Sequence, residues 1–507
     1  MSAAPADSPQ DDIAALARGG RTNFFGFVLR LAARIPFLLI AGRLYGPELL
    51  GRFAYAVIVV EFAAQLATLG LKRGLAQQLA ETDQPHVCIV FDAMLAALIA
   101  SAGATILLLV FPMAMFPPHG VMYGSEWLLP LAIFPVAGCD IALAALAYRH
   151  DVGATVRARA LVEPWTISIG AGLLYFVTPR DGLIVAYILS EIAALAAALV
   201  PLFRSYGLPH GWSPHPVKLL AVARRNVPLA AADAIEWGSR RLDIAILGLL
   251  LPAAVAPHYV GIYYVAQQVA TLPQKLKTSF DPILAPVITN RLAEGDRKAV
   301  AKQVRQVGFW IIAAQTGVAL ALGIPAKGVM ALIGAKFVAG TAALVFLLGA
   351  EIAAATAAVS ESALVYVARH RNLTISLVVI AIEAVLAAGF ILAARAAGLP
   401  ESWQAASAAL ALLLALGLGS ILKARLLCRL LEAPVQPWRW PLFWAAAGAT
   451  LVGWLFSLLP GDLVWIDLAI GVPGILATFT AIVWKKGFTA EDRVLFRFVK
   501  APETPEP

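Results

Sequence analysis

The segment 227–251 is apolar enough and long enough to cross a bilayer, yet it contains five charged residues. Four of them recur at helical spacing and share one face of a predicted helix: Asp233, Glu236, Arg240 and Asp243. A charge near the bilayer centre costs roughly 2.5–3.5 kcal/mol on insertion scales. We therefore expect this face to line a protein interior or a water-filled cavity rather than lipid.

Arginines with phosphate-binding chemistry also occur in the first predicted span. Arg30 and Arg34 lie four residues apart and share a helical face. Guanidinium groups bind phosphate oxygens in a bidentate manner and keep their charge. We interpret these two residues, with Arg240 and Arg241, as candidate ligands of a pyrophosphate group. The alternatives are a structural network of ion pairs or, for Arg30, a side chain that extends to the membrane surface.

Carboxylates and neutral polar residues complete the candidate site. A carboxylate in an apolar cavity favours a bound proton or cation, and we assign such a coupling role to Glu61, Asp233, Glu236 and Asp243. Candidate sugar contacts are Gln65, Gln267, Gln268 and Tyr263, although glutamines also join helices by hydrogen bonds. We interpret the remaining carboxylates within predicted spans as structural: Asp92, Asp140, Glu163, Glu191, Glu351, Glu361 and Glu383.

The composition indicates the elements that must position these residues. Of the 507 residues 60% are hydrophobic and 14% charged, and the mean hydropathy is +0.80. Soluble domains carry about 25% charged residues, so we predict an all-α polytopic membrane protein. The net charge of +8 lies in short loops, which favours membrane orientation over nucleic-acid binding. The three cysteines show no disulfide or metal spacing, and no nucleotide-binding or hydrolase motif occurs. We therefore expect neither an enzyme nor a bound cofactor.

Windows of about 20 apolar residues predict fourteen transmembrane helices. Their ranges are 23–44, 50–70, 87–111, 126–147, 159–178, 182–203, 227–251, 258–281, 305–326, 340–366, 373–396, 402–424, 439–459 and 463–484. An even number of spans places both termini on the same side of the membrane. Loops on that side carry most of the basic residues, Arg159 among them, which predicts that both termini are cytoplasmic. The opposite loops hold only Arg43, Arg52, Arg180, Lys327, Lys336 and Arg395.

An internal repeat divides the chain into two similar parts. At an offset of 210 residues, Arg30 aligns with Arg240, Pro47 with Pro257 and Gly51 with Gly261. The two copies are six predicted spans apart and therefore have the same orientation, so we infer two parallel lobes related about the membrane normal. The predicted organisation is a disordered tail (1–20), a first lobe (21–205), a linker with an amphipathic helix (206–226), a second lobe (227–430), two additional spans (431–484) and a tail (485–507).

The first hairpin resembles the opening of the bacterial polysaccharide-biosynthesis flippases. The resemblance rests on Gly46-Pro47, on Gly51-Arg52-Phe53-Ala54 and on Leu69-Gly70-Leu71-Lys72-Arg73. The segment RRLDIAILGLLL and the hairpin that follows it resemble the start of that family's second half. The motifs characterise the wider multidrug/oligosaccharidyl-lipid/polysaccharide (MOP) exporter superfamily more than any one substrate.

The resemblance implies a fold and an activity. The fold is two six-helix lobes around a central cavity, here with two additional C-terminal helices. The resemblance further implies that a polyprenyl-pyrophosphate-linked oligosaccharide moves across the inner membrane by alternating access in a cationic cavity, for surface polysaccharide synthesis. The expected partners are this glycan, membrane lipids and a polysaccharide polymerase or glycosyltransferases, with no nucleic acid. Other interpretations stay open: a lipid II flippase, a drug/cation antiporter, or a membrane glycosyltransferase, polymerase or ligase, for which the short outer loops leave little room.

Overall fold

The computed structural model describes residues 35–81, 84–117, 120–274, 288, 291, 292, 294–458, 467–489 and 492. These residues form helices and short connections, and no strand occurs among them. Ten of the described helices are long and apolar enough to cross a membrane. The predictions of an all-α architecture and of a multi-pass membrane protein are confirmed.

The first half of the chain contains eight described helices. They are α1 (residues 35–45), α2 (Gly46–Ala67), α3 (Leu71–Ala80), α4 (His86–Val110), α5 (Ile133–Tyr148), α6 (Val152–Thr155), α7 (Glu163–Tyr175) and α8 (Gly182–Tyr206). The 3₁₀ segment Gly124–Ala132 leads into α5, and the π-helical segment Val156–Val162 joins α6 to α7. The helical positions correspond to the second to sixth predicted spans and to the end of the first, whose residues 23–34 lie outside the described residues.

The second half continues the same architecture and ends in an additional hairpin. Its described helices are α9 (Pro216–Gly238), α10 (Leu242–Leu250), α11 (Ala256–Gln274), α12 (Arg297–Gly323), α13 (Ala326–Ile333), α14 (Thr341–Ala355), α15 (Ala358–Val367), α16 (Arg369–Ala396), α17 (Glu401–Leu431), α18 (Trp440–Ser457) and α19 (Val472–Ile482). Helices α18 and α19 pack on each other and on α12. The proposed lobe boundaries and the side of the membrane that holds the termini remain predictions.

The predicted span 227–251 is not one continuous helix. Helix α9 ends at Gly238, residues 239–241 form a turn, and α10 begins at Leu242. Helix α9 packs mainly on α2, α3 and α4, and α10 packs mainly on α11, α16 and α17. The single charged face expected from helical spacing is therefore divided, because the turn changes the direction in which side chains point on either side of it.

Helices α2 and α11 make a close and reciprocal contact near their amino-terminal ends. A Cβ atom added to Gly51 would lie 1.7 Å from the carbonyl oxygen of Pro257, and one added to Gly261 would lie 1.9 Å from that of Pro47. Only glycine permits this approach of two backbones. The paired residues are those aligned by the 210-residue repeat, so the contact has the reciprocity expected of two related halves.

Candidate functional site

A cavity of about 810 Å³ lies beyond this contact, between the carboxyl-terminal parts of α2 and α11. Glu61 and Gln65 of α2 line one side, and Tyr264 and Gln268 of α11 line the facing side. The two helices therefore touch near their amino-terminal ends, and both contribute side chains to the cavity wall further along. This geometry places polar side chains from both halves of the chain around one cavity.

The first-half wall is organised around Arg159. Its guanidinium group donates to Asp140 at 2.7 Å and to Glu163 and Glu191 at 2.9 Å each. Lys72 forms a second ion pair with Asp140 at 3.2 Å. Arg159 belongs to the π-helical segment Val156–Val162, a geometry that often occurs at functional sites. We call these five side chains the Arg159 cluster.

Tyr187 lies beside this cluster and also lines the cavity. The side chain is 5% exposed, and its hydroxyl group has no hydrogen-bond partner among the described residues. It is within electrostatic range of Glu191, Glu61 and Glu163. A buried hydroxyl without a partner loses the hydrogen bonds it would form in water.

The facing wall carries a positive charge. Arg241 lines the cavity and donates from Nη1 to Oε1 of Gln267 at 3.3 Å. Trp237 lines it as well and packs on Phe62 with ring centroids 5.1 Å apart. Because the turn at residues 239–241 ends α9, Arg241 points into the cavity from an irregular segment between the two halves.

A third part of the wall is apolar. It consists of side chains from α1 and from the region of α12 and α13: Ile35, Phe37, Leu38, Leu39, Leu322, Val329, Leu332 and Ile333. The cavity thus combines a hydrophobic strip with charged and hydrogen-bonding groups. Such a lining matches an amphiphilic ligand better than a purely polar one.

The described walls are mixed in charge rather than uniformly cationic. Carboxylates are contributed by Glu61, Asp140, Glu163 and Glu191, and cations by Lys72, Arg159 and Arg241. The predicted phosphate ligands Arg30 and Arg34 lie outside the described residues. The expectation of a cationic cavity therefore rests, within the described walls, on Arg241 alone among the predicted arginines.

The remaining charges of the predicted face form ion pairs. Asp233 pairs with Nε of Arg73 at 2.6 Å, and Glu236 pairs with the same arginine. Arg240 pairs with Glu351 of α14 at 3.2 Å. These contacts correspond to the structural interpretation considered for this segment, in which internal ion pairs hold the helices together.

Asp243 begins a separate, fully buried network in the second half. Tyr263 donates to Oδ2 of Asp243 at 2.5 Å, and Nε2 of Gln267 approaches both carboxylate oxygens at 3.2 Å. Tyr263 and Asp243 are 0% exposed, so neither is at the cavity surface where a sugar could touch it. Glu383, also 0% exposed, is electrostatically coupled to Asp243, and neither of its carboxyl oxygens has a hydrogen-bond partner among the described residues.

A helical bundle of this kind, with an amphiphilic cavity between two halves, defines a class of membrane protein: the chain has the fold of the MOP superfamily transporters. An inward-facing multidrug-resistance transporter of the MATE family matches with a TM-score of 0.63 and 14% identity, over 80% of this chain and 99% of the other. The lipid II flippase MurJ matches with a TM-score of 0.62 and 10% identity, over 92% and 99%.

A MOP superfamily transporter from Pyrococcus furiosus, described as having a binding pocket of reverse polarity, matches with a TM-score of 0.59 and 13% identity, over 84% and 96%. No family model matches the sequence, and no curated protein does. The structural likeness thus establishes the fold, while the expected polysaccharide-flippase family and its substrate remain a hypothesis.

Sequence reasoning missed the Arg159 cluster. Arg159 was assigned to a basic loop, and Asp140, Glu163 and Glu191 were interpreted as structural carboxylates without being linked to Arg159. The one local signal was the spacing of four residues between Arg159 and Glu163, which places them on one helical face. Helix packing, which the sequence alone does not reveal, brings Asp140 and Glu191 to the same guanidinium group.

Proposed function

We propose that this protein is a flippase that moves a polyprenyl-pyrophosphate-linked oligosaccharide across the bacterial inner membrane by alternating access. The observation that carries the proposal is the division of one cavity into an apolar wall and a polar wall that contains Arg241. A prenyl chain matches the apolar wall, sugar hydroxyls match Gln65 and Gln268, and a pyrophosphate matches the guanidinium group of Arg241. The MOP fold supports the same interpretation.

The size of the cavity limits how much of the substrate it holds. Pockets of about 300–1,000 Å³ enclose ligands the size of a typical drug, and the cavity measures about 810 Å³. We infer that it encloses the pyrophosphate and the first sugar or two. The rest of a longer glycan would extend out of the cavity.

Coupling to a proton or sodium gradient is assigned to Asp243 and Glu383. A charged carboxyl group that is buried without partners is strongly destabilised, so a proton or a cation must accompany it. The charge of Arg240 acts on Glu383, and Arg240 directly precedes the cavity-lining Arg241 in sequence. Binding of a proton or cation to Glu383 would therefore change the charge that Arg240 faces, one residue from the cavity wall.

The flippase activity is tested with purified protein in proteoliposomes that contain a fluorescent polyprenyl-pyrophosphate disaccharide. We expect Arg241→Ala to lower the initial rate at least about tenfold, since a charge-assisted bond to phosphate is lost. Arg225→Ala is the matched control, because this exposed arginine pairs with Glu81 and does not line the cavity. Equal rates for Arg241→Ala and the control would contradict the role of Arg241, and no translocation by the unmodified protein would contradict the function itself.

The same assay tests the coupling role. Glu383→Gln keeps the size of the side chain but cannot release a proton. We expect translocation by the unmodified protein to respond to an imposed proton or sodium gradient, and translocation by Glu383→Gln not to respond. A variant that responds as the unmodified protein does would exclude Glu383 from coupling.

A drug/cation antiporter is the second candidate, and the four carboxylates in the cavity wall favour it. Such a protein would bind lipophilic cations, because acidic and aromatic groups stabilise them. Titration with tetraphenylphosphonium distinguishes the two candidates. Saturable binding of tetraphenylphosphonium that Glu61→Gln abolishes would favour the antiporter. Binding that Glu61→Gln does not abolish, but that a prenyl pyrophosphate displaces, would favour the flippase.

A further inference from the structure

The side chain of Gln267 connects the wall of the cavity to the buried network of the second half. It is 5% exposed and does not belong to the lining of the cavity. Its Oε1 accepts a hydrogen bond from Nη1 of the cavity-lining Arg241 at 3.3 Å. Its Nε2 approaches both carboxylate oxygens of Asp243 and the carbonyl oxygen of Arg240, at 3.2 Å each. One amide group thus contacts a candidate substrate ligand and a candidate coupling group.

These contacts fix the orientation of the amide. With Nε2 toward the carboxylate and Oε1 toward the guanidinium group, each atom faces a partner of the complementary kind. The reverse orientation would place Oε1 against carboxylate and carbonyl oxygens, and Nε2 against the N–H groups of Arg241. Hydrogen bonds to an ionised group are about twice as strong as neutral ones. The orientation in which Gln267 holds Arg241 is therefore favoured by the charge of Asp243.

A proton on Asp243 would oppose this orientation. The carboxylate already accepts hydrogen bonds from the Tyr263 hydroxyl, from Nε2 of Gln267 and from the backbone N–H of Ile244, so a carboxyl O–H within this shell needs an acceptor. Gln267 offers one only through Oε1, the atom that binds Arg241. The protonated carboxyl group and Arg241 therefore compete for the same oxygen, and protonation releases Arg241 to bind an anion.

The surrounding charges favour the same linkage. The titratable groups that act on Asp243, or on the buried Glu383 beside it, are Tyr263, Arg240 and Arg241. Arg241 attracts the ionised carboxylate, and an anion bound to Arg241 weakens that attraction. A proton also suits this shell better than a metal cation, because hard cations require several oxygen ligands and the groups around the carboxylate are N–H and O–H donors.

We propose that Gln267 is a positioning residue that links the ionisation of Asp243 to Arg241, so that a pyrophosphate diester binds in the cavity together with a proton on Asp243. The inference rests on the proposed flippase function, because it takes Arg241 as the ligand of the pyrophosphate. The proton comes from the solvent, adds to a carboxylate oxygen and leaves again when the anion is released. It offsets part of the negative charge of the bound anion.

Calorimetric titration of the purified protein with uridine diphosphate N-acetylglucosamine, a soluble pyrophosphate diester, tests the linkage. A diester lacks the second ionisation of a phosphate monoester, at about pH 6, so a change of affinity with pH originates in the protein. We expect binding to be at least about fivefold tighter at about pH 5.5 than at about pH 7.5. An affinity that does not depend on pH, weaker binding at the lower pH, or no measurable binding would each overturn the proposal, and none of these results requires a variant.

Variants assign the pH dependence to this network. Asp243→Asn is always neutral, so at about pH 7.5 it should bind the probe as tightly as the unmodified protein does at about pH 5.5. Gln267→Met keeps the length of the side chain without the amide, and the pH dependence should shrink to within about twofold. Gln315→Met is the matched control, because Gln315 is also buried in a membrane helix, with 2% exposure, and does not line the cavity. A pH dependence that survives unchanged in Gln267→Met would refute the role of Gln267.

Sodium is the competing occupant of Asp243. Replacement of potassium by sodium at constant ionic strength should leave the affinity for the probe unchanged, whereas tighter binding in sodium that Asp243→Asn abolishes would assign the linkage to the ion and overturn the proposal. The flippase function is decided separately. Translocation in proteoliposomes combined with an affinity independent of pH would remove only the inference about Gln267. Binding linked to pH without translocation would contradict the flippase and leave the linkage standing.

Discussion

Substitution of Gly51 should shift the protein away from the arrangement in which α2 and α11 touch. The Cβ of Gly51→Ala would lie 1.7 Å from the Pro257 carbonyl oxygen and 2.5 Å from the amide nitrogen of Gly261. Backbone atoms cannot rotate aside, so the helices must separate by on the order of 1.5 Å to restore van der Waals contact. Overpacking of this kind costs about 2 kcal/mol, which changes the ratio of two conformations about 30-fold.

Spin labels near the amino-terminal ends of the two helices would measure this shift. In a background without the three native cysteines, Glu48→Cys and Ala253→Cys place labels at exposed positions next to the contact. Double electron–electron resonance should show a longer-distance population in Gly51→Ala that is minor in the parent. Gly103→Ala is the matched control, because an added Cβ there meets no atom within 4 Å. Identical distance distributions for Gly51→Ala and the parent would refute the packing argument.

Two further predictions concern buried charges. Arg159→Ala leaves three carboxylates without their shared partner and should destabilise the protein by about 3 kcal/mol. The stability of Arg159→Lys should lie between those of the parent and of Arg159→Ala. A thermal unfolding midpoint of Arg159→Ala in detergent equal to that of the parent would contradict this prediction. Burial raises the pKa of Asp492, but hydrogen bonds from Arg439 and Thr489 outweigh it and hold the pKa below its ordinary value of 3.8. Its stabilising effect is therefore fully present above that value and is lost as the pH falls through the lower pKa of the folded state. Asp492→Asn should lower the unfolding midpoint at pH 7, and the difference from the parent should shrink below about pH 4; a difference that does not depend on pH would exclude the ion pair with Arg439 as its source.

The Asp492 prediction has a structural basis in the additional hairpin. Asp492 is 0% exposed and accepts hydrogen bonds from Arg439 at 2.6 Å, from Trp310 at 3.0 Å and from Gln306 at 3.1 Å. These donors belong to α12 and to the start of α18. The carboxylate therefore fixes the end of the described chain to the helices that carry the additional hairpin. Glu81→Gln serves as the control, because Glu81 forms an exposed pair with Arg225 that should add little stability.

Most of the helical architecture followed from the sequence because the bilayer imposes it. Apolar segments of about 20 residues must be helical when lipid surrounds them, since no water is present to satisfy the backbone. The repeat aligned Gly51 with Gly261, and the structure brings these two residues into contact. The sequence did not predict the turn at residues 239–241, because no glycine or proline within that turn marks it.

The candidate site shows more clearly which features the sequence alone cannot predict. The sequence by itself determined that charged residues inside apolar segments must face one another or a cavity, because lipid does not tolerate them. Glu61, Gln65, Arg241 and Gln268 do line the cavity. Only the tertiary structure decided the partners. Arg240 pairs with Glu351, which is 111 positions away. Arg159 binds one carboxylate on each of the helices α5, α7 and α8. Helical periodicity fixes which residues share a face, but which faces meet depends on packing between helices that are distant in sequence.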